Sequence, residues 1–200
     1  ESPRLKAIPD SLELDKSYHL LPVDYGDVCL NYDKAWFAEN DLAPPTDLPD
    51  LTQPDYEALT VVESPATSST GLAFLLATVG RFGEEGYLDY WADLRANDVL
   101  VTDGWEDAYW GNFTYTSDGD RPIVVSYASS PPVEVYFAEE TFDEAPTAVV
   151  TADGSCFRQI EFVGILKGTA NRDLAEEWID FMLGTTYQKD IPLKMFVFPA

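Results

Sequence analysis

The residues best suited to chemistry in this chain are aromatics and hydroxyls placed just after short apolar runs. The stretch IVVSYASSPP, residues 123–132, opens with four strand-forming residues, Ile123 to Ser126, then presents Tyr127, Ser129 and Ser130 before Pro131 and Pro132. Prolines cannot donate to a sheet ladder, so the strand must end there. Two other runs end in the same way. Val61-Val62 leads into ESPATSSTG, with Ser68, Ser69 and Thr70, and VLVTDG leads into Trp105. Tyrosine, tryptophan and serine at strand ends suit the noncovalent capture of a small ligand, because rings offer faces and hydroxyls offer directed hydrogen bonds. No GxSxG, P-loop, GxGxxG or HExxH is present, so no familiar catalytic motif accompanies them. Two cysteines, Cys29 and Cys156, without a CxxC, and a single histidine, His19, exclude the usual zinc spacings. No cofactor and no metal are expected.

The elements that must position these groups follow from periodicity. A helix is predicted from near Gly71 through the apolar run LAFLLATVGRF, with Ser68, Ser69 and Thr70 as natural caps at its start. A second helix is predicted over GEEGYLDYWADLRAN, its apolar stripe carried by Tyr87, Leu88, Trp91 and Leu94. Trp105 falls where another helix begins, with Glu106 and Asp107 in its favourable first turn. The clearest helix lies in GTANRDLAEEWIDFMLG, where Leu174, Trp178, Phe181 and Met182 form one stripe and Gly184 stops it. TTYQKDIP reads as a short helix ended by Pro192, and KMFVFPA as an apolar extended segment that must pack against something. Upstream, LPVDYGDVCLNYDKAWF reads as extended, broken at Gly26 and resuming as a strand over Val28–Tyr32; VEVYFAEETFD has no clear period. If TSSTG, TDGW and SYASSPP close parallel strands, they share one rim of an α/β sheet, where open sheets hold ligands.

Composition narrows the ligand. The 200 residues are 46% hydrophobic and 14% aromatic, enough for a real core. Thirty-six acidic against 12 basic residues give a net charge of −24, which disfavours nucleic acid and anionic membranes and favours small organic cations. No apolar run approaches the about 20 residues that span a bilayer, and ESPRLKAIPD lacks a signal-peptide core. Cys29 and Cys156 both sit in strand-like runs, either as two buried thiols or as one disulfide between adjacent strands.

Six stretches in order, VDYGDVCLNYDKAW, ESPATSSTGLAFLLA, TDGWEDAYWGNF, IVVSYASSPP, FVGILKGTANRDLAEEWIDFML and IPLKMFVFP, resemble the periplasmic thiamine-binding proteins of ABC importers, members of the type II periplasmic binding protein superfamily. The resemblance runs over roughly residues 20–200. It implies an α/β fold of two lobes joined by crossing strands, with one nearly complete lobe here plus the C-terminal part of the other. On that basis residues 1–30 end lobe one and form the outgoing hinge strand, 31–154 form lobe two, and 155–200 return to lobe one. Most of the N-terminal lobe is then expected to lie outside this chain, in a missing N-terminal segment or a second chain.

The resemblance also implies a solute receptor, not an enzyme, that captures thiamine or thiamine phosphate and delivers it to an ABC permease in the membrane. Its expected location is periplasmic or extracellular, with anchoring through an absent N-terminus. Trp105 matches the family's cleft tryptophan and Tyr127 a cleft tyrosine; Ser68 and Ser69 match the hydroxyl turn that faces a phosphate; Tyr25 belongs to the crossing strand. Phe196 stands where the closing motif carries tryptophan, and Val133 where some members carry a second tyrosine. Cys29 and Cys156 fall on the outgoing and returning crossings, which favours a disulfide. The alternatives are a binder of another small organic cation such as a polyamine, or a fragment without binding competence.

Overall fold

The computed structural model describes residues 5–139 and 141–200. In chain order the elements are β1 (Leu21–Asp33), α1 (Lys34–Glu39), β2 (Thr60–Glu63), α2 (Ser69–Ala96), β3 (Leu100–Thr102), α3 (Trp105–Asp107), β4 (Ile123–Tyr127), α4 (Ser130–Phe137), β5 (Thr147–Val149), β6 (Phe157–Val163), α5 (Arg172–Met182), α6 (Thr185–Met195) and β7 (Phe198–Pro199). The sheet runs β3-β2-β4-β1-β5, with β6 and β7 also paired to β1. Strands β2, β3 and β4 are parallel, whereas β1 is antiparallel to β4, β5 and β7. The chain divides into two compact units, Asp27–Arg158 and Glu1–Gly26 with Gln159–Ala200.

The larger unit is a sheet buried on both faces. Val62, Ile123 and Val125 pack on one side with Phe74, Tyr90 and Leu94 of α2; Val61 and Val124 pack on the other with Ala108, Tyr109 and Phe113. This is the period-two alternation of a strand, with each face finding an apolar partner, so the strands read as continuous hydrophobic runs. Cys29 and Cys156, 127 residues apart in sequence, are joined by a disulfide in this unit.

The two helices expected between residues 71 and 97 meet at Gly83, whose φ of 77° and ψ of 170° break the helical path. Only glycine enters that region without steric cost. Leu88, placed on the buried stripe by periodicity, is exposed, and Tyr90 is buried instead, its hydroxyl donating to the Leu48 carbonyl at 3.1 Å. Strand β1 is not broken at Gly26: it continues from Leu21 to Asp33. Helix α6 carries Pro192 in its interior and ends at Met195, so less of the C-terminus is extended than the sequence suggests.

In the smaller unit, β7 pairs with β1 through Asp24 with Pro199 and Tyr25 with Phe198. Gln188 ties this together, its amide donating to the Val23 carbonyl at 2.9 Å while its oxygen accepts from the Ala200 amide at 2.9 Å. Val197, within the apolar terminus, is buried. The stripe on α5 is mostly uncovered among the described residues: Leu174, Trp178 and Phe181 are 65%, 57% and 46% exposed, while Ile179 beside them is buried.

Candidate functional site

Because β2, β3 and β4 are parallel, their carboxyl ends share one rim, and the chain leaves that rim three times through polar or aromatic residues. After β2 it enters the turn before α2. Ser68 is the N-cap of α2, accepting from the Gly71 amide at 3.3 Å, and Ser69 is the first helical residue and exposed. Thr70 turns inward: its hydroxyl bonds Ser68 Oγ at 2.8 Å and donates to Glu63 Oε2 at 3.0 Å. Ser68 therefore does the capping, and α2 presents the positive end of its dipole at this rim.

Glu63 is fully buried beneath the turn. Burial pushes its carboxyl up to about 8, opposed by the Thr70 hydrogen bond, so Glu63 is neutral at pH 7 and adds no negative charge to the start of α2. Gly71 makes the close approach possible, because a Cβ there would lie 2.4 Å from the Glu63 carbonyl oxygen. Gly71→Ala is expected to destabilise the protein by about 1–3 kcal/mol, the usual cost of overpacking against backbone, measurable by urea unfolding.

After β3 the chain turns at Asp103 and Gly104 into Trp105, the first residue of α3, followed by a wide π-helical turn over Ala108–Asn112. The indole Nε1–H of Trp105 donates to Ser126 Oγ at 2.9 Å. It thereby bridges from the end of β3 to β4, the strands that flank β2. One face of the indole stacks on Tyr109, with centroids 4.8 Å apart and planes 17° from parallel. Trp110 meets it edge-on at 6.0 Å, and Tyr127 lies tilted at 6.3 Å. Trp105 and Tyr127 are both half-buried, while Trp110 is 50% exposed.

After β4 the chain passes Tyr127 and Ser129 into α4. The segment VEVYF, which has no clear period in sequence, is helical because Pro131 and Pro132 occupy its first turn, where no amide donor is needed. That helix buries Glu134, whose Oε1 accepts from the Tyr109 hydroxyl and whose Oε2 accepts from Thr147 Oγ1. Burial raises the Glu134 pKa and the nearby Asp33 charge adds to it, while the two hydroxyl bonds oppose the shift. Val133 is buried in α4.

Sequence reasoning thus picks out Trp105, Tyr127, Ser68 and Ser69, and all four lie at this rim in the larger unit. It misses Tyr109, Trp110 and Glu134. The WEDAYW spacing carries a signal for Tyr109, since a residue four along from a helix start returns to the same side; nothing local marks Glu134. Tyr25 and Phe196 belong to the smaller unit. Tyr25 is half-buried on β1 with its ring 5.5 Å from that of Phe198, and Phe196 caps α6 in the left-handed region at φ 62°.

Comparison with known proteins places the chain in a family. Residues 2–200 match the family described as bacterial extracellular solute-binding protein. The thiamine-binding periplasmic protein of Brucella suis biovar 1 (strain 1330) is 32% identical over 180 residues, covering 90% of this chain and 50% of that protein. The protein of the same description from Salmonella typhimurium (strain LT2) is 29% identical over 185 residues, 92% of this chain and 53% of its own length. A solved periplasmic thiamin binding protein superposes with a TM-score of 0.76 at 26% identity, covering 90% of this chain and 53% of that one. The chain spans about half the length of the curated relatives it matches. With nearly every residue matched and the fold shared, the chain belongs to the bacterial extracellular solute-binding protein family and has the α/β fold of type II periplasmic binding proteins.

Proposed function

We propose that this chain is part of an extracytoplasmic receptor that captures thiamine or one of its phosphates and passes it to an ABC permease, without catalysing a reaction. The observation that carries the reading is the aromatic cluster at the rim: Trp105 is held by Ser126 and stacked on Tyr109, with Tyr127 and Trp110 beside it. A thiazolium cation over such faces gains about 0.5–2 kcal/mol per contact. Ser68 and Ser69, at the start of α2, suit the hydroxyl or phosphate tail, since helix amides and the dipole favour an anion there. The neutral Glu63 beneath that turn leaves the preference intact at pH 7. The net charge of −24 draws a cation toward the protein at low salt.

In this reading residues 1–30, 31–154 and 155–200 are the end of lobe one with the outgoing hinge strand, lobe two, and the return to lobe one, and Tyr25 and Phe196 are the ligand residues of the lobe-one portion. The relatives bearing the thiamine-binding description are about 30% identical, and the exported setting fits a chain with a disulfide. Titration with thiamine should quench tryptophan fluorescence saturably in the micromolar range, and Trp105→Ala should weaken binding at least about tenfold, the equivalent of 1.4 kcal/mol. If putrescine or spermidine shifts the fluorescence and thiamine does not, the site is one for polyamines. If none of the three acts on this chain or on a version extended to the length of its relatives, the receptor reading fails.

A further inference from the structure

Ten of the eighteen large hydrophobic side chains left exposed among the described residues belong to the smaller unit, which holds only about a third of the chain. On α5 they are ordered. Leu174, Trp178 and Phe181 recur at i, i+4 and i+7 and so share one face of the helix. The Trp178 and Phe181 rings lie 5.5 Å apart, and Phe181 is 5.6 Å from Tyr187, so the apolar surface continues onto α6. At its other end it opens into a groove of about 330 Å³ lined by Thr169, Asn171, Leu174, Ala175 and Trp178. Ile179, one position on from Trp178 and so about 100° around the helix, is the residue of α5 that turns inward. Asp173, Glu176 and Glu177 take the exposed polar side. The helix is therefore apolar on two sides, and the described residues bury one of them.

We propose that the Leu174–Trp178–Phe181 face is a docking surface for the apolar side of a helix, supplied by the polypeptide that makes up the other half of the relatives' length. The relatives are about twice as long as the part of them that this chain matches. The uncovered apolar surface is concentrated in the smaller unit, whereas in the larger unit both faces of the sheet already have partners. A ridge at i, i+4 and i+7 fits the groove of another helix, and a strand offers no matching period. A second copy of the chain fits poorly, because it brings its own Asp173 and Glu177 to the edge of the same face and sets a charge of −24 against −24. The same charge disfavours an anionic lipid surface.

The test compares the 200-residue chain with a form joined to the part of the Brucella suis thiamine-binding periplasmic protein that the match leaves uncovered. Trp178 fluorescence is isolated in each as the difference from Trp178→Phe. On extension its acrylamide quenching should fall severalfold and its emission should shift to the blue, since a side chain now 57% exposed becomes enclosed. Leu174→Gln should leave the urea midpoint of the 200-residue chain in place, as expected of an exposed position, and lower that of the extended form. Leu88→Gln, at an equally exposed leucine in the larger unit, should leave both midpoints in place. If the joined chain is insoluble, the same part added as a separate polypeptide should protect Trp178 saturably, and Leu174→Gln should weaken that protection. Trp178 quenched equally in both lengths and by addition of the separate part, or Leu174→Gln tolerated equally in both lengths, overturns the proposal. So does a 200-residue chain that sediments as a dimer and is returned to monomer by Leu174→Gln, which would seat a second copy on the face. None of these readouts involves thiamine, so their failure leaves the receptor reading standing, and failure of that reading leaves the docking surface standing.

Discussion

Replacing Cys29 and Cys156 by alanine is expected to lower the unfolding free energy by about 5 kcal/mol. The bridge closes a loop of 127 residues, and restricting an unfolded chain over that length costs it about 16 cal/mol/K of entropy in the chain-entropy model. The loss is comparable with the whole stability of a typical domain, about 5–15 kcal/mol, so the reduced protein should sit near its unfolding midpoint under mild conditions. Urea unfolding with and without reductant measures the difference directly. A loss below about 1 kcal/mol would mean that the unfolded chain already keeps these two segments together. The two cysteines lie on β1 and just before β6, the segments by which the chain leaves and re-enters the smaller unit. The bridge therefore joins the two segments where the larger unit begins and ends.

Glu63→Gln is expected to abolish a steep decline of stability with rising pH. The Glu63 carboxyl is raised by burial from 4.5 to about 8, so between those values the folded chain holds a proton that the unfolded chain has released. Stability from this source is complete below pH 4.5 and is lost progressively as pH rises to about 8. At 1.36 kcal/mol per unit, the native protein should lose about 4–5 kcal/mol across that window relative to Glu63→Gln. Glutamine can still accept from Thr70, so the variant should fold. Unfolding curves of both proteins at pH 5, 6.5 and 8 give the difference, from which other titrating groups such as Asp24, itself raised to about 7 by burial and Glu161, cancel. Parallel pH profiles would show that Glu63 ionises normally in the folded state. Above pH 8 an ionised Glu63 beneath Thr70 would also oppose an anionic ligand group at the start of α2, so affinity for a phosphorylated ligand should fall there more than affinity for thiamine.

Comparison of sequence with structure shows which inferences are local. The strand Ile123–Tyr127 and the capped start of α2 are legible because a handful of adjacent residues decides each: β-branched residues followed by proline, and a serine ahead of an apolar run. Gly83 is less legible, since glycine inside a helical pattern is compatible with continuation or with a break, and the φ of 77° is settled by how the second half of α2 packs through Tyr90 and Leu94. Helix α4 shows the limit more sharply. Val133, Val135 and Phe137 alternate as in a strand, yet the two prolines ahead of them start a helix, and its inward face then buries Glu134. On α5 the period predicts an apolar stripe, but a period cannot say whether anything covers it; Leu174, Trp178 and Phe181 are open.

By itself the sequence determined the inventory of the candidate site: aromatic and hydroxyl residues at three strand ends, an acidic composition, two cysteines and no familiar catalytic motif. Those properties follow from residue type and from spacing within a few positions. Only the tertiary structure decided that Trp105, 21 residues before Ser126, hangs from it by its indole N–H, and that Tyr109 and Glu134 stand behind the ring. The reason is physical. Which polar groups meet in a dry interior depends on how the sheet and helices pack, and neither hydrophobic period nor motif carries that information.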